Sequence, residues 1–233
     1  MNRLARALLV CAAAGALAAG AVPSAFAAPN PATNIPFGAF PLACQVAPNG
    51  GACENAAIRR LDQARAKLGL SPYAVPAGFV ALRPARQWLI LANLDRLSYS
   101  LRPIRGLTTA LNAIALQGAR ARQDPDPWPA LMKLSGQSQI GFASNWAGGA
   151  PNALIAYYDW MYDDGYGSHN LDCSSPSASG CWGHRQDILA FPAAQTLSMG
   201  AASLRVTASY ALTIVETSTP PWPYSYTWAQ AKG

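Results

Sequence analysis

The sequence predicts an α+β domain with helices gathered early and strands late, in the manner of a layered α–β–α fold. Three observations carry this. Apolar residues recur at helical spacing in the first half: Ile58, Leu61, Ala64 and Leu68, then Ile90, Leu94, Leu97 and Leu101. Two late runs rich in β-branched residues, "SLRVTA" and "YALTIVETS", are bounded by small residues and read as strands. The 233 residues carry no internal repeat, and 51% are hydrophobic, enough for one large core.

The chain opens with an export signal. Arg3 and Arg6 precede an alanine-rich apolar run from Ala7 to Val22, and Ala25-Phe26-Ala27 offers an A-x-A cleavage site. The run is short for a membrane span, and Cys11 lies too deep in it for a lipoprotein anchor. The expected organisation is a signal peptide over 1–27, an N-terminal extension over 28–80 and the main domain over 81–233. Loss of Arg3 and Arg6 from 17 basic residues leaves 15 against 11 acids, a net charge of +4. These charges are scattered, which argues against nucleic acid as a partner. With no other long apolar stretch, a secreted, extracellular monomer without a membrane span is expected.

Four of the five cysteines lie beyond the leader: Cys44, Cys53, Cys173 and Cys181. An even number in an exported chain suggests disulfides. Three pairings exist, and the spacing favours two local loops, Cys44–Cys53 and Cys173–Cys181. The short C-x-x-C pairs of structural zinc sites are missing, so no metal is expected.

Each element has a local reason. Ala28 to Gly51 is rich in Pro, Ala, Asn and Gly and reads as an extended leader. A helix follows from Glu54, with Gly69 placed to end it. A second helix starts near Pro84, since proline suits the first turn, and Pro103 closes it. A third begins at Thr108 or Thr109, whose hydroxyl can cap it, with Leu111, Ile114 and Ala115 facing the core. "RQDPDPWPAL" is a proline-rich loop. "NALIAYYDWMY" (Asn152 to Tyr162) reads as a helix, "DDGYGSHNLDC" as loop, and "WGHRQDILAF" as a short helical segment. "YSYTWAQ" reads as a last strand.

From about Arg86 onward, the order of motifs resembles the CAP superfamily of cysteine-rich secretory, antigen-five and pathogenesis-related proteins, in its bacterial SCP-domain form. The block "DWMYDDG…GCWGHRQDIL" carries most of it: Trp160, Gly183, His184, Arg185, Ile188 and Leu189 match, while Asp187 stands where asparagine is usual. "NLDRLSYSLRPIRGL" is similar to the family's opening helices, and "ASNWA" lies where the family carries Gly-Glu-Asn-Ile. The resemblance implies a three-layer α–β–α sandwich with a small antiparallel sheet. It leaves 28–80 outside the family's domain.

The resemblance also implies a cleft, and this chain departs from the family there. Of the family's two histidines only His184 is present, Ser144 replaces the glutamate of the Gly-Glu-Asn motif, and Asp163 stands where the second acid falls. A metal needs several convergent ligands, so a family-type metal site is not expected. The implied catalytic cluster is His184, Ser144 and Asp163, a serine–histidine–carboxylate set of the kind nucleophilic hydrolysis uses. Against it, "FASNWA" is no nucleophile elbow. Asn145, Trp146, Trp160 and Arg185 are expected to line the cleft. The favoured function is a non-catalytic extracellular binding module for a lipid, sterol or cell-wall ligand; the alternative is a secreted peptidase or esterase. No cofactor is expected: the oxygen-rich loop 163–172 raises calcium, but its spacing fits no EF-hand and a solvated loop is the reading kept.

Overall fold

The structure, a computed structural model, describes residues 28–232; the expected signal peptide over 1–27 lies outside them. The chain forms eight α-helices and five strands among these residues. In order they are α1 (Leu42–Val46), α2 (Gly51–Lys67), α3 (Pro84–Ser98), β1 (Gly106–Thr108), α4 (Thr109–Ala121), α5 (Trp128–Leu131), β2 (Ile140–Gly148), α6 (Ala153–Tyr162), α7 (Gly183–Ile188), β3 (Thr196–Leu204), β4 (Ser209–Thr217), β5 (Tyr224–Thr227) and α8 (Trp228–Lys232). The fold is α+β, as expected.

The five strands make one sheet in the order β2-β4-β3-β1-β5. The small antiparallel sheet expected is mixed in one pairing. β1 pairs with β3 in parallel, while β1–β5, β2–β4 and β3–β4 are antiparallel, so the sheet is mixed. Parallel pairing needs a long crossover. The chain supplies it between Thr108 and Thr196, a stretch that includes α4 and α6.

Alternation along the strands splits the side chains between two faces. Tyr210, Leu212 and Ile214 of β4 and Leu197 and Met199 of β3 join the main core, which also holds Trp88, Leu89 and Tyr157 of α3 and α6. Val215 instead meets Leu111 and Leu131 of α4 and α5 on the other face. Gly200 explains how closely α4 sits on the sheet. A Cβ there would lie 2.1 Å from the Leu111 carbonyl carbon, so only glycine admits the helix backbone. Asn112 Oδ1 accepts from the Ala201 N–H (2.9 Å) at the same contact.

Local signals explain most of the helices. Thr108 Oγ1 accepts from the Leu111 N–H at 3.1 Å and caps α4; Asn152 Oδ1 does the same for α6 through Ile155 (2.9 Å). Gly69, at φ +71°, follows α2. α6 is apolar nearly all round and is accordingly buried. The stripe expected on α3 is displaced, however. Leu97 is exposed, and the buried set includes Gln87, Asn93, Asp95 and Arg96. β3 also begins earlier than "SLRVTA", whose last residues form the tight turn Arg205–Thr207, and "YSYTWAQ" divides into β5 and α8.

A buried polar network displaces that stripe. Asp95, fully buried, accepts from Arg65, Tyr73 Oη (2.6 Å), Tyr157 Oη (2.6 Å) and Tyr162 Oη (3.2 Å). Arg65 also donates to the Ser71 carbonyl and Ser98 Oγ, both at 2.6 Å. Burial raises the Asp95 carboxyl, with Arg65 and the tyrosine hydroxyls opposing.

Residues 28–80 share this core. Ile35, Phe37, Cys53, Leu61 and Phe79 belong to the cluster that holds the sheet, and the Ile35 N–H donates to the Tyr162 carbonyl (2.7 Å). Both expected disulfides, Cys44–Cys53 and Cys173–Cys181, are present. No helix among the described residues is long and apolar enough to cross a membrane.

Removing one partner of a buried ion pair strands the other charge. Arg65→Met is therefore expected to lower stability by about 3–5 kcal/mol in urea denaturation. The double variant Arg65→Met, Asp95→Leu should lose less than Arg65→Met alone.

Candidate functional site

The corner around His184 is assembled from the end of α6, the disulfide loop and the start of α7. Asp163 is the C-cap of α6 and its N–H bonds the Asp159 carbonyl (3.1 Å). The next residue, Asp164, turns inward and is 1% exposed. Its Oδ1 lies 2.6 Å from His184 Nδ1 and accepts from Asn170 Nδ2 (2.8 Å). Its Oδ2 accepts the N–H groups of His184 (3.0 Å) and Arg185 (3.4 Å). One carboxylate thus orients the imidazole and satisfies free N–H groups at the start of α7. With Nδ1 engaged, Nε2 is the ring's free nitrogen, and the side chain is 19% exposed.

The loop from Gly165 to Trp182 holds this pair. The Asp164 carbonyl accepts from the Trp182 N–H (3.0 Å) and from Asn170 Nδ2 (3.0 Å), and Asn170 also donates to the Gly180 carbonyl (2.9 Å). Gly180 adjoins Cys181, so the Cys173–Cys181 link closes the loop at its own anchor. On the chain-entropy account such a closure contributes about 2–3 kcal/mol. Gly165 is obligatory for a spatial reason. A Cβ there would lie 2.7 Å from Asn34 Oδ1 and 2.8 Å from the Trp182 ring. Asn34 in turn grips this turn, accepting from the Gly165 N–H (2.7 Å) and donating to the Tyr166 carbonyl (2.8 Å).

The expected site residues separate into two groups. Asn145 is at the corner: its Nδ2 donates to the His184 carbonyl (2.8 Å), and its buried Oδ1 has no partner. Trp160 lies beside the imidazole, ring centroids 6.5 Å apart and planes 24° apart, although the indole itself is buried. Ser144 is elsewhere. Its hydroxyl donates to Thr213 Oγ1 (2.8 Å), and Thr213 pairs in register with Gly200, beneath α4. Neighbours on a strand point to opposite faces. Asn145 faces α7, so Ser144 faces away from His184. Trp146 shares the Ser144 face, its Nε1 donating to Ser209 Oγ (2.8 Å).

Four expectations are therefore corrected. Trp146 does not line the corner, because it shares the far face with Ser144. Ser144 is not the partner of His184, because strand alternation puts it on the far side of the sheet. The carboxylate behind His184 is Asp164, not Asp163, because α6 ends at Tyr162 and the chain turns inward one residue later. Arg185 does not line a cleft: fully buried, it donates to the Met161 carbonyl (2.8 Å), Tyr99 Oη (2.6 Å) and the Pro29 carbonyl (3.3 Å). It clamps the extension to α7.

Acidic groups surround the ring. Burial alone would lower the His184 pKa, but the Asp164 hydrogen bond and charge, with Asp124 and Asp187, raise it. Burial raises the Asp164 carboxyl, with His184 opposing. Burial also lifts Asp187 to about 7, with His184 opposing and Asp124 and Asp164 adding. Asp159 is lifted to about 8 by burial, then by Asp163 and Asp164. Asp124 lies in the segment read as a proline-rich loop and Asp187 where the family has asparagine; nothing local in the sequence marks Asp164 over Asp163. No three His, Cys, Asp or Glu residues among the described ones are grouped to hold a metal. In the 163–172 loop, Asp164 and Asn170 are turned to protein partners instead. Two hollows, about 340 and 280 Å³, lie elsewhere, against α2 and α6 and against α2 and α3 respectively.

No family model matches the chain, and neither a curated protein nor a solved structure matches it.

The raised groups act together on stability. Asp187 and Asp159 hold protons in the folded state that they lose in the unfolded state, between an ordinary carboxyl pKa near 3.8 and about 7 or 8. His184, with its folded pKa raised, contributes stability below its unfolded pKa of 6.5 that is lost as pH rises through the folded value. All three make the folded state bind more protons, so stability falls as pH rises. The melting temperature should be higher at pH 5.5 than at pH 8.5, and Asp159→Asn should flatten the slope. A melting temperature that rises with pH overturns this assignment.

Proposed function

We propose that this chain is an exported binding domain, kin to the CAP/SCP superfamily, which recognises a polar cell-envelope ligand at the His184 corner without turning it over. The supporting observation is the disposition of the imidazole. Asp164 holds Nδ1 at 2.6 Å, and the ring's other nitrogen is left for a ligand. Asp124 and Asp187 act on the same ring, which favours a hydroxylated or amine-bearing ligand over an acyl chain or sterol. The two disulfides agree with an extracellular setting.

Against the hydrolase reading, Ser144 donates to Thr213 on the other face of the sheet. Kinship rests on the ordered motifs alone, chiefly Trp160, Gly183, His184 and Arg185. The test is co-sedimentation of the purified protein with insoluble peptidoglycan, with phosphatidylcholine vesicles as the apolar control. Peptidoglycan should retain the protein, and His184→Ala should weaken retention about tenfold, the scale of one hydrogen bond to a charged group. Retention unchanged by His184→Ala, preference for the vesicles, or Ser144-dependent ester or peptide cleavage overturns the reading.

A further inference from the structure

The hollow of about 340 Å³ between α2, α6 and the segment at Ile35 has no part in the His184 corner, and its lining is chemically one-sided. Arg60, Gln63, Ala64 and Lys67 of α2 border it at spacings of three and four, so they share one helix face. Ile35 and Ala64 supply an apolar wall. Tyr158 of α6 forms part of the lining. Its ring is held by Phe37 (centroids 5.0 Å) and Tyr162 (5.4 Å), and the residue is 2% exposed. Its polar end borders the hollow. The hydroxyl is not one of the buried atoms left without a partner, so this otherwise buried phenol opens its oxygen to the hollow.

Every polar group here is set to donate. Arg60 Nη1 donates to Gln63 Oε1 (3.2 Å), which occupies the amide's acceptor and leaves its Nε2 donors free. Lys67 carries three donors and no acceptor. Burial, followed by Asp163, pushes the Tyr158 phenol up to about 12, so it keeps its proton at neutral pH. The acidic neighbours of that hydroxyl are Asp163 and Asp159. With its carboxyl near 8, Asp159 is largely neutral at pH 7, and burial raises the Asp163 carboxyl too, so the two cations of α2 face acids whose charge burial disfavours.

We propose that this hollow is an anion site for a small phosphate-bearing molecule, with Arg60, Lys67, Gln63 and Tyr158 donating to the phosphate and Ile35 and Ala64 taking its apolar portion. The charge complementarity is on α2, and the floor is built by the extension packing on α6. Phosphate suits a set of convergent donors from a guanidinium, an ammonium, an amide and a phenol. A free phosphate monoester and a phosphatidic acid headgroup share this chemistry.

Titration of phenyl phosphate into ¹⁵N-labelled protein tests it, with phenol as the uncharged control. Saturable shifts at the Ile35 and Ala64 amides are expected for phenyl phosphate and not for phenol. The exposed pair Arg60→Ala, Lys67→Ala, which leaves the core intact, should weaken binding about tenfold. Tyr158→Phe should weaken it about fivefold, and its melting temperature reports whether packing held. Asp163→Asn should tighten binding, and His184→Ala should leave it unchanged, which separates this site from the corner. Binding to phosphatidylcholine vesicles containing phosphatidic acid, lost in the double variant, assigns the headgroup as the source; phenyl phosphate binding without vesicle binding assigns a soluble monoester. No saturable shift, or shifts indifferent to the Arg60, Lys67 and Tyr158 changes, overturns the proposal.

Discussion

The structure depends on one buried carboxylate. Asp95 draws Arg65 from α2, Tyr73 from the segment after it, and Tyr157 and Tyr162 from α6 onto a single point of α3. A charge taken out of water is expensive unless donors surround it. Four donors do so here, which fixes the angle at which α6 leaves the core. α6 then delivers Asp164 to the corner, so the orientation of His184 is set by packing two helices away. Arg96 repeats the device nearby, donating to the carbonyls of Arg102 (2.7 Å), Ile188 (2.9 Å) and Ala190 (2.7 Å). It ties α3 to the end of α7.

Asp164 and Asp95 make different uses of a carboxylate. Asp95 meets side chains and locks helices together. Asp164 meets backbone N–H groups, one amide and one imidazole, and so joins a helix start to a titratable ring. The free N–H groups at the start of α7 partly offset the cost of burying its charge. The pairing gives His184 one committed and one available nitrogen, an arrangement that suits recognition and general-base chemistry alike. Ser144, the serine expected to act with this ring, faces the other side of the sheet.

Much of the secondary structure was legible, for physical reasons that act locally. Thr108 and Asn152 carry caps, Pro84 begins a helix, and the spacing of the cysteines favoured the two links that form. β2 was not legible. "IGFASNWAG" alternates small with large residues, and its Gly141, Ala143 and Ser144 blur the period-2 signal that a half-buried strand normally gives. The α3 stripe departs from its helical spacing because Asp95 and Arg96 are charged, and only Arg65, three tyrosine hydroxyls and three backbone carbonyls, all distant in sequence or set by the fold, make their burial tolerable. The acid behind His184 was missed by one position, since where a helix stops fixes which side chain turns inward. The parallel β1–β3 pairing is a tertiary fact with no local signature.

The extension closes the structure across great sequence distances. Asn34 grips Gly165 and Tyr166, and the Pro29 carbonyl receives Arg185, contacts separated by 131 to 156 positions. As synthesis proceeds from the N-terminus, these first residues emerge with nothing to hold, and their partners appear only when most of the chain is made. Such late loop closure slows folding and leaves Ile35 and Phe37 uncovered in the interval. The nascent chain therefore has a long vulnerable period before this segment finds its partners.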